Sequence, residues 1–212
     1  MKALALAFFV SLLSFSCNNK KESNSINVND VPKDDTVAIA KAEKTVNAYS
    51  PVDVSPMDMS YFPVDYPKLK MSKDLVASSP WARVIYSRPH LQGRHIFHEV
   101  LKYGEPWRLG ANESTELELY KDATIQGEKV KAGRYILYCI PQPNEWTIVF
   151  NNNTDTWGLQ QDPSKDIVRF TVPVKKTATS LEFFTMIFEG KGEGAILLMA
   201  WDNVEVRLPI SF

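Results

Sequence analysis

Strand-length runs separated by turn residues fill most of the chain beyond residue 80, and they restrict the fold more than any other feature. Runs such as WARVIYS, TELELY and EWTIVFN carry β-branched and aromatic residues, often alternating with polar ones. RYILYCI, DIVRFTVPV, LEFFTMIFE, GAILLMAW and VEVRLPISF have the same character. Turn residues lie between the runs, in QGEK, KAGR, PQPNE, NNNTD, GKGEG and WDN. The pattern predicts a mostly β fold, either an antiparallel β-sandwich or a jelly-roll-like domain.

One short helix is predicted near residues 94–102, in RHIFHEVLK. Its apolar residues share one face at helical spacing, and they are Ile96, Phe97, Val100 and Leu101. Its polar residues fall on the opposite face, and they are His95, His98, Glu99 and Lys102. A segment of this pattern is expected to lie on the surface of the domain, with its apolar face against the core.

The N-terminal segment, residues 1–17, has the arrangement of a secretory signal: a lysine, an apolar run and small residues before Cys17. The run is too short for a membrane span. A cysteine at the cleavage point, followed by polar NNKKESNS, resembles a bacterial lipoprotein signal, although Ser14 stands where the consensus carries leucine. We therefore expect lipidation at Cys17, and an exported protein anchored to the membrane on its periplasmic or outer-membrane face. Ordinary cleavage with a free cysteine and an uncleaved anchor are the alternatives.

Residues 18–50 are rich in Asn, Ser, Lys and Asp, and no aromatic residue precedes Tyr49. Such a segment buries too little apolar surface to fold, so a flexible linker is expected. From Pro51 onward, SPMDMSYFPVDYP mixes aromatic residues with prolines, which favour extended or turn structure. We expect this segment to pack on the domain, and a single β domain to span residues 51–212.

Charge and cysteine content narrow the possible functions. The formal net charge is −1, which does not suggest a nucleic-acid partner. Cys17 and Cys139 are the two cysteines, so a lipidated Cys17 would leave Cys139 without a disulfide partner. Cys139 lies in RYILYCIP and is expected to be a buried small hydrophobe. The sequence has no GxSxG, Walker-type or CxxC motif, and no cofactor is expected.

All three histidines lie between residues 86 and 113, which raises the question of a metal site. His95, His98 and Glu99 share a predicted helical face, with His90 nearby. However, HIFHE does not match the HExxH spacing of helical zinc sites, and a polar face is ordinary for a surface helix. No metal site is therefore predicted.

The same stretch contains a cluster of residues suited to binding a ligand. The candidates are Arg88, Arg94, Glu105, Trp107, Arg108, Asn112 and Glu113. Guanidinium groups form planar forks for carboxylate or phosphate, asparagine both donates and accepts, and tryptophan offers a flat apolar wall. The cluster can hold a small anionic or carbohydrate ligand, and Trp157 and Trp201 would join the wall if the fold brings them near.

A structural brace explains the same residues without any ligand. In this alternative the arginines pair with nearby glutamates, and the pairs are drawn from Arg88, Arg94 and Arg108 with Glu99, Glu105 and Glu113. RLGAN would then be a turn in which Gly110 takes an unusual dihedral and Asn112 bonds its own backbone. The residues alone leave the brace and the binding site both open.

A hydrolase is the enzymatic alternative. Glu105 and Glu113 would act on an envelope glycan or similar polymer if their oxygens came within roughly 5–10 Å of each other. Ser87 and His90 form the one local nucleophile–base pair, but Pro89 interrupts it and no third group orients it. A non-catalytic binding or accessory module of the cell envelope is therefore the leading interpretation.

Several segments together resemble a known family. They are SPMDMSYFP, ARVIYSRP, YGEPWRLGANES, KAGRYILYCIP, EWTIVFN, DTWG, AWD and LPISF, in order over about residues 51–212. This series resembles the bacterial domain of unknown function 2911, which is common in Bacteroidota lipoproteins. The polar positions of its pattern correspond to Ser87, Arg88, Arg94, Glu105, Arg108, Asn112 and Glu113. Histidine is not part of the pattern, and the resemblance implies no activity and no catalytic residue.

Overall fold

The computed structural model describes residues 55–72 and 79–212, and these residues form two antiparallel sheets and little helix. The strands are β1 (Met57–Phe62), β2 (Ala82–Ser87), β3 (Thr115–Leu119), β4 (Ala123–Ile125), β5 (Glu128–Val130), β6 (Gly133–Pro141), β7 (Glu145–Asn151), β8 (Asp166–Pro173), β9 (Lys175–Lys191) and β10 (Gly194–Ser211). The predicted signal (residues 1–17), the linker (residues 18–50) and Cys17 lie outside the described residues.

The two sheets pack face to face. One sheet has six strands in the order β1-β2-β3-β6-β7-β8, and the other has four in the order β5-β4-β10-β9. Every strand pairing within the described residues is antiparallel. The mostly β sandwich predicted from the strand runs is therefore confirmed.

Alternation along the strands determines which side chains form the core. In β2, Ala82, Val84 and Tyr86 are buried between the sheets, as the sequence predicts. Leu117 and Leu119 of β3 do the same, while Glu116 and Glu118 face outward. The period of two therefore gives β2 and β3 an apolar face, which packs on the four-stranded sheet.

The WDN segment does not end a strand. GAILLMAW and VEVRLPISF are parts of the single strand β10, and the register with β9 shifts on either side of Asp202. Asp202 adopts a positive φ of 51°, so the segment forms a bulge. The prediction of a turn was wrong because residues that favour turns also suit a bulge, in which pairing resumes afterwards.

The predicted helix is a single π-helical turn, Ile96–Val100. The Leu101 N–H donates to the Ile96 carbonyl at 2.7 Å and closes the turn. Ile96 is buried, and Phe97, Val100 and Leu101 pack against the core, so the apolar face was predicted correctly. The flanking residues His95 and Leu101 are extended, which limits the turn to a length shorter than the predicted range of 94–102.

A second helix, α1 (Tyr66–Met71), was not predicted. Pro67 lies in its first turn, where the missing N–H is tolerated, so the prolines that argued for extended structure here also permit a helix start. Within residues 55–72 and 79–212, no helix is both long enough and apolar enough to cross a membrane.

The outward face of the six-stranded sheet also buries side chains, and these are Ile136, Tyr138 and Val149. The loop between β7 and β8 spans residues 152–165 and contacts this face at Arg134 of β6. Asp155 of the loop pairs with Arg134 of β6 at 2.7 Å, and the hydroxyl of Thr156 lies 3.3 Å from that of Ser114. This outer loop also carries residues 157–159 to the end of the sandwich where the candidate residues lie.

Candidate functional site

The segment that carries Arg108 is fixed to the core on both sides of that residue. Trp107 exchanges two main-chain hydrogen bonds of 2.8 Å with Cys139, and its indole Nε1 donates to the Gly110 carbonyl at 3.0 Å. The hydroxyl of Thr115 donates to the Leu109 carbonyl at 2.7 Å. Arg108, between these anchors, therefore has little freedom of its main chain.

The RLGAN turn differs from the prediction in its glycine. Leu109 and Asn112 take the positive φ values, 54° and 58°, and Gly110 does not. A Cβ at Gly110 would instead lie 3.2 Å from the main-chain oxygen of Ser87. Glycine is needed here because the turn passes close to the end of β2, which is a long-range requirement that the local sequence does not show.

A cavity of about 350 Å³ opens beside this segment. Its lining residues are Ser55, Pro89, Arg94, Val100, Leu101, Pro106, Trp107, Arg108, Gly110, Ala111, Gly158, Leu159 and Trp201. Arg94, Trp107 and Arg108 of the predicted cluster therefore share one cavity. The other predicted residues, which are Arg88, Glu105, Asn112 and Glu113, do not line it.

Two tryptophans form the floor of this cavity. The indole rings of Trp107 and Trp201 are stacked, with centroids 5.7 Å apart and planes 25° apart. Trp107 is only 8% exposed and also contacts Phe184 with ring centroids 4.8 Å apart. Trp201 joins the wall as expected, whereas the ring of Trp157 is 51% exposed and the residue contributes its carbonyl to Arg108. The floor is thus part of the core as well as of the cavity.

Arg108 makes one hydrogen bond within the described residues, from Nη1 to the Trp157 carbonyl at 3.3 Å. Its side chain lies against Gly158, where a Cβ would be 3.2 Å from the Arg108 Cβ and 3.3 Å from its Cδ. Burial lowers the pKa of Arg108, and the negative charge of Glu113 opposes this effect only in part. The guanidinium is therefore partly desolvated without a close carboxylate.

Arg94 is held by main-chain oxygens. Its Nε donates to the Leu91 carbonyl at 2.8 Å, and its Nη2 donates to the His90 carbonyl at 2.9 Å. Leu91 is itself bonded to β9, since its N–H donates to the Glu182 carbonyl at 2.9 Å. These bonds fix the second positive charge at the cavity wall without neutralising it.

Arg88 has no place in the cavity and braces the two sheets instead. Its Nη1 donates to Asp58 of β1 at 3.2 Å. Its Nε donates to the Phe184 carbonyl and its Nη2 to the Thr185 hydroxyl, both in β9 and both at 3.2 Å. A brace was one of the two hypotheses for this residue, but its partners come from β1 and β9 rather than from nearby glutamates.

The glutamates expected to pair with the arginines have other surroundings. Glu99 accepts a hydrogen bond of 2.6 Å from the His95 N–H, which stabilises the π-helical turn. Glu105 lies 3.5 Å from Lys102, and Glu113 is exposed. The predicted network of arginine–glutamate pairs is therefore wrong for the part of the chain that the structure describes.

The histidines do not gather into a metal centre among the described residues, where no group of three or more His, Cys, Asp or Glu side chains is close enough to hold an ion. His90 stacks on Phe183, with ring centroids 5.3 Å apart, and its Nδ1 lies 3.7 Å from Glu182. His95 is exposed.

Cys139 is fully buried, as predicted. Burial raises the pKa of its thiol well above the usual value. A thiol that stays protonated is a poor nucleophile, so Cys139 packs as a small hydrophobe.

Most of the cavity lies in the part of the chain that one family model matches. A family model described as a protein of unknown function, DUF2911, matches residues 69–210. The chain belongs to the DUF2911 family. Every residue that lines the cavity, except Ser55, lies within the DUF2911 match. Comparison of the chain with curated proteins and with solved structures gives no match.

Two contributors to the cavity were not identified from the sequence. Gly158 was noted only as part of DTWG, and its positive φ of 77° and its contact with Arg108 depend on the outer loop. Leu159 is an aliphatic residue that is 74% exposed at the rim. The one local indication of a role for Leu159 is that it is an isolated leucine in a polar loop.

Proposed function

We propose that this DUF2911 protein is an exported cell-envelope lipoprotein whose β domain is a non-catalytic module that binds a small anionic or carbohydrate ligand. The cavity carries the proposal, because Arg94 and Arg108 line it beside Trp107 and no carboxylate is among its lining residues in the described part of the chain. A concave site with an apolar wall and a few convergent polar groups is typical of ligand binding.

The electrostatics of Arg108 support the proposal. A charge that loses water without gaining a partner destabilises the folded protein, and an anion in the cavity would offset that cost. Burial already lowers the pKa of Arg108 despite nearby Glu113, so the existing carboxylate does not fully compensate. A bound oxyanion would supply the missing negative charge and hydrogen-bond acceptors.

The hydrolase alternative has less support. Glycoside hydrolysis requires a pair of carboxylates in the cleft. Neither Glu105 nor Glu113 lines the cavity, and no other observation within the described residues favours this chemistry.

The binding proposal can be tested on residues 18–212, which keep every described contact. A panel of small carboxylates, phosphates and neutral and acidic sugars would be titrated while tryptophan fluorescence and thermal unfolding are followed. We expect Arg108→Gln to weaken binding of the responding compounds about tenfold or more, since charged hydrogen bonds are lost.

Arg207→Gln is the matched control, because Arg207 is also part-exposed but pairs with Glu205 and Glu189 away from the cavity. Equal effects of the two substitutions, or no response to any compound, would overturn the binding proposal.

The lipoprotein proposal rests on the signal-like residues before Cys17 and makes the membrane a partner through the N-terminal lipid. A bacterial host expressing the chain would be fed an alkyne-labelled fatty acid. We expect the protein to be labelled and membrane-bound, and Cys17→Ser to remove both properties. Labelling that persists in Cys17→Ser would contradict this assignment.

A further inference from the structure

The three arginines near the cavity differ in whether one edge of the guanidinium group is hydrogen-bonded to the protein. Nε and Nη2 form a side-on edge with two parallel N–H bonds. Arg88 and Arg94 each use both atoms of this edge on protein oxygen atoms. Arg108 uses only Nη1, so its side-on edge has no hydrogen-bond partner among residues 55–72 and 79–212.

The side-on edge of Arg108 is held ready for an acceptor. The bond from Nη1 to the Trp157 carbonyl and the close approach of Gly158 restrict the side chain. Two parallel N–H bonds match the two coplanar oxygens of a carboxylate, which forms the bidentate pair. Arg94, in the same cavity, adds a second positive charge while its own side-on edge is occupied.

The other lining residues determine the chemical character of the rest of the ligand, which is called its body below. The polar side chains of the lining are those of Ser55, Arg94 and Arg108, and its other residues are apolar or glycine. A sugar brings several hydroxyl groups, and the lining offers them few side-chain partners besides Arg108, since Arg94 already bonds to main-chain oxygens. An apolar ring would instead displace water from the side chains of Leu101 and Leu159 and from the small exposed part of the Trp107 indole.

We propose, building on the proposed binding function, that the cavity takes a small monocarboxylate with an apolar, ring-sized body. The carboxylate pairs with the side-on edge of Arg108, and the body lies on the apolar wall around Trp107. The volume of about 350 Å³ is at the small end of the range for ligand sites. The inference selects one chemical class from the anionic and carbohydrate ligands considered above.

Four probes separate the parts of this inference: phenylacetate, its neutral amide phenylacetamide, phenyl phosphate and glucuronate. Their dissociation constants for residues 18–212 would be measured by titration calorimetry. We expect phenylacetate to bind most tightly and phenylacetamide about tenfold or more weakly, because a charged hydrogen-bonded pair is replaced by neutral bonds. Glucuronate carries the same carboxylate on a hydroxyl-rich body and should bind more weakly than phenylacetate.

Two substitutions test the geometry at Arg108. Arg108→Gln should remove the preference for phenylacetate over phenylacetamide, which loss of stability alone would not do. Arg108→Lys keeps the charge but not the planar fork, and it should also weaken phenylacetate binding about tenfold. Arg207→Gln should leave the preference unchanged.

The contrary outcomes are distinct. If glucuronate binds as tightly as phenylacetate, the proposal that the ligand has an apolar body is wrong. If phenyl phosphate binds most tightly, the proposal that the ligand is a carboxylate is wrong. Full phenylacetate binding by Arg108→Lys would overturn the bidentate contact. In these three cases the proposed binding function stands. If none of the probes shows Arg108-dependent binding, this inference fails, and if the wider panel also fails, the binding function fails with it.

Discussion

Arg88 and Arg108 belong to one predicted cluster of candidate residues, yet their surroundings in the fold are opposite. All three guanidinium nitrogens of Arg88 donate to oxygens of β1 and β9. Arg108 makes a single bond, to the Trp157 carbonyl, and lines a cavity. The comparison teaches that the brace and the proposed ligand site, which the sequence left as alternatives for one cluster, involve different residues of it.

The two arginines differ in their hydrogen bonding because other parts of the chain supply acceptors to Arg88 but few to Arg108. Arg88 follows β2 at the point where β1 and β9 come together, since the Phe188 N–H of β9 donates to the Ser60 hydroxyl of β1 at 3.0 Å. Arg108 lies on a turn whose main-chain groups are already bonded to the core and to Thr115. The first arginine is therefore surrounded by acceptors, and the second faces open space.

Replacing Trp107, which forms part of the cavity floor and packs in the core, should have the largest effect on the free energy of unfolding. Trp107→Ala is expected to lower the free energy of unfolding by about 3–5 kcal/mol, because a large aromatic side chain leaves the core. Urea denaturation would measure it. Trp157→Ala, at an exposed ring, should cost less than about 1 kcal/mol. Similar losses for the two would show that Trp107 is not part of the core.

Removing the Arg88 side chain, which braces the two sheets, should have the second-largest effect on stability. Arg88→Ala should lower the free energy of unfolding by about 2–3 kcal/mol, since hydrogen bonds from a charged group between two sheets are lost. The value allows for solvent screening, because the side chain is partly exposed. The same denaturation experiment applies. Arg207→Ala is the control, a part-exposed arginine whose partners Glu189 and Glu205 lie in its own sheet. It should cost less than about 1 kcal/mol, and a loss as large as that for Arg88 would remove the distinction.

Gly158 tests how closely the outer loop approaches Arg108. Gly158→Ala should cost about 2 kcal/mol, from a positive φ and from contact of the new Cβ with the Ser114 hydroxyl and the Arg108 side chain. Gly127 has a φ of 87° and open space around its position, so Gly127→Ala isolates the backbone contribution at about 1 kcal/mol. Thermal unfolding of both variants would separate the two contributions. Equal costs would mean that both Ser114 and Arg108 move away from the new Cβ freely.

Arg108→Ala should have the smallest effect on stability. We expect a change of less than about 1 kcal/mol, or a gain, because the residue has one long hydrogen bond and a partly desolvated charge. Chemical denaturation of this variant beside Arg88→Ala makes the comparison direct. A loss of about 3 kcal/mol or more would mark Arg108 as a buried brace and exclude it as the centre of a ligand site.

Alternation and turn composition predicted the strands because both are local properties. Ala82, Val84 and Tyr86 face the core as their spacing in β2 requires. The continuity of β10 through Asp202 was not predictable in this way, because it depends on continued pairing with β9. Local sequence identifies extended segments, and long-range pairing decides where they end.

Three of the seven candidate residues line one cavity, and the partners of the arginines were not predicted. Arg94, Trp107 and Arg108 do line one cavity, as the cluster suggested. The partners of Arg88 come from β1 and β9, and a single sequence gives no indication that Asp58 and Thr185 meet there. The role of each arginine therefore depended on the fold rather than on its motif.

The outer loop, residues 152–165, links two places that look unrelated in the sequence. It contacts the face that buries Tyr138 and Val149, and it also supplies the Trp157 carbonyl to Arg108. If the loop detaches as one cooperative unit, hydration of that face and release of Arg108 occur together. The rate of amide hydrogen exchange around Tyr138 would then depend on the state of the cavity, although Tyr138 lies on the other face of the sheet. A ligand that orders the loop would slow that exchange.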